Sequence, residues 1–114
     1  MKAVAQDSEC SEEHQVKGPS SYSNETFGRA AAIFSAMGDE PRLRLLEYIS
    51  RGEACVTEIA KYTGEGLSTV SQRLKILAYE RLVSKERRGK HIYYSLQDEH
   101  ILNLLQNALG HAEE

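Results

Sequence analysis

Apolar residues recur along this chain at two periods, and the change from one to the other lays out its elements. Phe27, Ala31, Ile33, Phe34 and Met37 have helical spacing and predict a first helix from about Asn24 to Met37, stopped by Gly38. Asp39 is placed to cap a second helix with Pro41 in its first turn and Leu43, Leu45, Leu46 and Ile49 as its core side, closed by Arg51-Gly52. A short third helix covers about Val56 to Tyr62, and after the turn Thr63-Gly64-Glu65-Gly66 a fourth opens at Ser68 and runs to about Arg81, with Val70, Leu74 and Leu77 inward. The period then falls to two. Residues 82–88 and 91–96 flank Gly89-Lys90, the pattern of a β-hairpin, with Val83, Ile92 and Tyr94 as its core side. Asp98 to Glu114 returns to helical spacing through Ile101, Leu102, Leu104, Leu105, Ala108 and Leu109.

Residues 1–22 lack either period. They are polar, contain Gly18 and Pro19, and are expected to form a flexible tail, leaving 23–114 as one folded domain. Two helices joined by a short glycine-containing turn make a helix-turn-helix pattern, here followed at once by a hairpin. The fold class expected is therefore mainly α with a β-hairpin wing. Ser68, Thr69, Ser71, Gln72, Arg73 and Lys75 supply hydroxyls, an amide and cations at the start of the second of these helices, suited to base edges and phosphates. Arg87, Arg88 and Lys90 form the densest basic cluster, at the hairpin tip, and are read as a grip on the DNA backbone rather than a merely solvated turn.

Composition sharpens this in one place. The net charge of −3 over 114 residues argues against a nucleic-acid partner, yet Ser68 to His91 carries seven basic residues against two acids, half of the chain's 14 lysines and arginines. A concentrated basic face matters more for phosphate contact than the total. No apolar run is long enough to span a membrane and the start has no signal pattern, so a cytoplasmic protein is expected. Two cysteines do not make a disulfide scaffold.

The last helix holds chemistry that amphipathicity does not account for. Asp98 and His100 lie at its start, His111 and Glu114 at its end, the latter pair three residues apart on one face. Eleven residues separate the histidines, about 16 Å along a helix, so one copy cannot gather all four side chains. Two antiparallel copies can, giving two equivalent sites of two imidazoles and two carboxylates, a donor set suited to tetrahedral zinc(II). The bland alternative for Asp98 is a helix cap. In the tail, Cys10 and His14 are spaced to chelate one ion if the segment turns helical, and are otherwise idle; Cys55 alone reads as a small core residue.

The stretches FSAMGDEPRLRLLEYI, EACVTEIA, LSTVSQRLKILAYERLVSKERRGKHIYYSL and DEHILNLLQNALGHAEE resemble the ArsR/SmtB family of metal-sensing repressors over about residues 25–114. The likeness is greatest to its zinc-sensing SmtB type. It implies a winged-helix homodimer joined through first and last helices, which binds an imperfect palindrome of operator DNA when metal-free and leaves it on binding metal. Asp98, His100, His111 and Glu114 match that type's last-helix site. Cys55 falls on the family's thiolate position, Cys10 and His14 match tail ligands, and Glu58 stands where an Asp is usual. Cadmium(II), lead(II) or copper(I) suit such a thiolate site. The resemblance also implies a hydrogen bond from the ligand imidazole of His111 to a backbone carbonyl near Arg81, coupling ion to DNA-reading helix. Two departures stand out. Cys55-Val56-Thr57 lacks the Cys-Val-Cys of arsenic-type members, and Ser71-Gln72 replaces a common Ser-His. A redox repressor pairing Cys10 with Cys55 is the alternative on the same fold. A zinc hydrolase is disfavoured, because four protein ligands leave no site for a reactive water.

Overall fold

A computed structural model describes residues 12–114; Cys10 lies outside them. Residues 12–22 are exposed and carry neither helix nor strand. The first helix, α1, spans Asn24–Met37, its free amides met by the Ser23 hydroxyl, which accepts from the Thr26 amide at 3.1 Å. Asp39 does the same for α2, Glu40–Ser50, accepting from Arg42 at 3.2 Å with Pro41 in the first turn. The Arg42 side chain then donates to the Ala36 carbonyl at 2.8 Å and so fixes the corner between the two helices.

The strand β1, Ala54–Cys55, leads directly into α3, Val56–Thr63. Two residues cannot show a period, which is why the sequence pattern passes over β1. Next come α4, Leu67–Tyr79, then β2, Val83–Arg88, and β3, His91–Leu96, and finally α5, Glu99–Ala112. The sheet is antiparallel in the order β1-β3-β2, with Val83 opposite Leu96, Arg88 opposite His91 and Cys55 opposite Tyr93.

The fourth helix differs from its expected bounds at both ends. It starts at Leu67 on a Gly66 cap and stops at Tyr79, two residues before Arg81. Arg81 adopts φ 61°, and the next amide, Leu82, donates back to the Leu77 carbonyl at 2.9 Å. This is the left-handed helix ending that glycine usually supplies. With arginine there, no residue type announced the stop. Leu82, fully buried, holds the turn inward.

The core runs through every element. Leu45, Leu46 and Ile49 of α2 meet Ile59 of α3, Val70, Leu74 and Leu77 of α4, Val83 and Tyr94 of the hairpin, and Ile101 and Leu105 of α5. Among the described residues no helix is long and apolar enough to cross a membrane.

Candidate nucleic-acid interface and metal ligands

The turn between α3 and α4 is built on Gly64, whose φ of 75° allows its amide to donate to the Ala60 carbonyl at 2.8 Å. Because Val70, Leu74 and Leu77 fix the inner side of α4, Ser68, Thr69, Ser71, Gln72 and Lys75 are turned outward and exposed. Arg73 differs. It is half-buried and paired with Glu65 across the turn. At the hairpin tip Arg87 and Lys90 are exposed, Arg87 reaching the Gly89 carbonyl at 3.4 Å. Arg88 is paired with Glu53, which precedes β1.

The last helix separates its two ligand pairs as the spacing requires. Asp98 caps α5, its Oδ1 accepting from the Ile101 amide at 3.2 Å, and the same oxygen lies 3.5 Å from Nδ1 of His100. At the other end His111 Nδ1 lies 3.6 Å from Glu114 Oε1. Both imidazoles stand in solvent, 93% and 85% exposed. Among the described residues of one chain, no three His, Cys, Asp or Glu side chains converge as a metal site. The donors present fit zinc(II) in number and type only if two chains contribute, one imidazole and one carboxylate from each helix end. A carboxylate has two oxygens, so the capping role of Asp98 leaves the other for a ligand. Arg81 borders the same groove as Asp98 and His100, at the opposite end of α5 from His111.

Cys55 sits at the cap of α3 with a free thiol, 3.2 Å from the Thr57 hydroxyl. That hydroxyl, helped by the Glu58 amide, holds the thiol below its ordinary pKa. A depressed pKa enriches the thiolate, the form that binds soft ions. Glu58 is occupied: its carboxylate accepts from the Tyr48 hydroxyl, and this carboxylate in turn raises the Tyr48 pKa. Tyr48 is stacked on Tyr62 with ring centroids 4.1 Å apart, and Arg51 lies over both rings. His14 is exposed in the segment before α1.

Comparison with known proteins decides the family. The model of the bacterial regulatory protein arsR family matches residues 39–85, from the cap of α2 into β2. The chain is 33% identical over 85 residues to a cadmium resistance transcriptional regulatory protein CadC homolog of Staphylococcus aureus, covering 74% of this chain and 70% of that protein. The chain belongs to the arsR family.

Another arsR-family relative, a transcriptional repressor SmtB homolog of Synechocystis sp., is 42% identical over 84 residues. That match covers 74% of this chain and 64% of the relative, somewhat under two thirds of its length. Among solved structures, a homodimeric winged helix-turn-helix DNA-binding domain from Mycobacterium bovis superposes with a TM-score of 0.79 at 29% identity, covering 87% of this chain and 92% of that one. The fold is thus the winged helix-turn-helix of a transcriptional regulator, not of an enzyme. Both candidate ligand pairs of α5 lie beyond the stretch matched by the family model.

The arsR-family fold brings in residues that spacing could not single out. Glu53, Glu65, Tyr48 and Tyr93 each engage a side chain named from sequence. Glu53 and Arg88 are 35 positions apart, Tyr48 and Glu58 ten, and no periodicity links them. Only the topology of β1 beside β3 places Glu53 near the wing.

Proposed function

We propose that this chain is a metal-responsive transcriptional repressor whose metal-free homodimer binds operator DNA and releases it when zinc(II) binds. The observation that carries the reading is α5, which ends in two exposed histidine–carboxylate pairs that do not meet within one chain. The Synechocystis relative is a transcriptional repressor SmtB homolog, which supports the same direction.

The dimer forms through α1 and α5. Phe27, Ala31 and Phe34 are exposed at helical spacing along α1, an apolar stripe that a single chain leaves in water. A two-fold axis sets the two α4 helices about one DNA turn apart, into successive major grooves of an imperfect palindrome. Ser68, Thr69, Ser71, Gln72 and Lys75 approach bases and phosphates, with Arg87 and Lys90 on the flanking backbone.

Asp98 and His100 of one chain and His111 and Glu114 of the other hold the ion. Bound zinc(II) would bridge the two chains and restrict their relative orientation, hence the spacing of the α4 pair. In this account His111 passes the change to the turn at Arg81 through its second ring nitrogen. By linkage, operator weakens zinc binding by the same factor as zinc weakens operator binding.

A second site joins Cys55, and Glu58 once freed, to Cys10 and His14. Its thiolates suit cadmium(II), lead(II) or copper(I). The regulated genes in this reading serve metal export or sequestration, and the protein acts in the cytoplasm. Counting bound zinc by equilibrium dialysis tests the assignment. With the second site removed by Cys55→Ser, two ions per dimer are expected, and their loss on adding His111→Gln; retention in that double variant would remove α5 from the account.

A further inference from the structure

Arg87 and Arg88 are neighbours in β2, but successive side chains of a strand leave opposite faces of the sheet. Arg87 lies opposite Ile92, on the face shared by Val83, Tyr94 and Leu96. Arg88 lies opposite His91, on the face shared by Glu86 and Tyr93. The two therefore leave the wing in opposite directions.

The Arg88 side is also the acidic side. Its Nη2 lies 2.5 Å from Oε1 of Glu53 and 3.7 Å from Oε1 of Glu86, and the guanidinium carbon stands 4.3 Å over the Tyr93 ring. Glu53 immediately precedes β1, Glu86 belongs to β2 and Tyr93 to β3, so one guanidinium touches groups from all three strands' surroundings. Its side chain is 45% exposed, yet its charge is matched by two carboxylates and one face of the guanidinium lies over Tyr93. Among the described residues Arg87 and Lys90 show no such carboxylate pairing, and Arg87 meets a carbonyl of its own turn.

We propose that Arg88 is a positioning residue that clamps the wing to the β1 edge through Glu53 and Tyr93, while the DNA backbone is gripped by Arg87 and Lys90. This rests on reading the hairpin as a DNA-contacting wing. The clamp also makes the wing continuous with the strand that carries Cys55, since Cys55 faces Tyr93 in the ladder.

Counterion release separates the two roles. Each phosphate neutralised contributes about 0.9 to the slope of log affinity against log salt. The probe is a fluorescein-labelled duplex selected by the metal-free full chain from random-sequence DNA, or an unselected duplex at low salt. Arg87→Gln, which removes one phosphate contact from each of the dimer's two wings, is expected to lower the slope by about 1.8. Arg88→Gln is expected to bind about fivefold more weakly with the slope unchanged, and Glu53→Gln to match it rather than tighten binding. A slope lowered by Arg88→Gln, or tighter binding by Glu53→Gln, overturns the proposal.

Hydrogen exchange of the DNA-free protein decides the matter even if no duplex is bound, an outcome that would count against the repressor reading alone. Faster exchange of the β2 and β3 tip amides in Arg88→Gln and Glu53→Gln, but not in Arg87→Gln, is expected. Equal protection in all three overturns the clamp.

Discussion

The Tyr48 hydroxyl donates to the carboxylate of Glu58, so the acid proposed as a ligand together with Cys55 is engaged by a ring from α2. Any ion that recruits Glu58 must break this bond. Tyr48→Phe therefore frees the carboxylate, and cadmium(II) should bind about threefold to tenfold more tightly, the range expected when a competing hydrogen bond of about 1 kcal/mol is removed. Sulfur-to-cadmium charge-transfer absorbance with a competing chelator reports the change. Equal affinities in the two proteins would mean that Glu58 is not a ligand.

Asp98 is a helix cap and, in the proposal, a zinc ligand, two roles that substitution can separate. Asn caps a helix about as well as Asp, while Ala costs about 1 kcal/mol. Asp98→Asn should keep the thermal midpoint and lose zinc affinity; Asp98→Ala should lose both. Thermal unfolding beside zinc competition checks this, and unaltered zinc binding in Asp98→Asn would leave the side chain as a cap alone.

Cys55 gives the pH dependence. Its thiol is held below the ordinary value by the Thr57 hydroxyl and the Glu58 amide. The folded chain thus favours the thiolate more than the unfolded chain does. The resulting stability is present above the unfolded thiol pKa and fades as pH falls through the lowered folded value. In the metal-free protein, the alkylation rate of Cys55 should rise at a lower pH than for an ordinary thiol, and Thr57→Val should move it upward. Coincident profiles would contradict the role given to Thr57.

In the proposed dimer the exposed stripe on α1 carries the association. Phe27 and Phe34 are 54% and 60% exposed and contribute little to the interior of one chain. Replacing both by Ser should leave the circular dichroism spectrum intact and convert dimer to monomer in sedimentation equilibrium. A variant that remains dimeric would place the interface elsewhere.

Much of this arrangement is legible in the sequence because period and capping agree. Asp39 caps where the second pattern begins, and Gly38 ends the first helix as it is placed to do. The end of α4 is not legible, because arginine occupies the left-handed position at 81. Nor is β1, whose two residues are defined only by pairing with β3. At the DNA face, residue type marks the cations but not their partners. Arg73 and Arg87 look alike in a basic run, yet one is held by Glu65 and the other stands in solvent. At α5, spacing alone shows that the two ligand pairs stay apart in one chain, which the structure repeats. Their union across a dimer rests on symmetry.

Anisotropy of labelled operator DNA with the reduced protein, taken before zinc, after zinc and after chelator, tests the central claim most directly. Reversible release by zinc is predicted for the unaltered protein and for Cys55→Ser, and its loss for His111→Gln with metal-free DNA binding retained. Release that survives His111→Gln, or binding indifferent to zinc in every protein, would contradict the account.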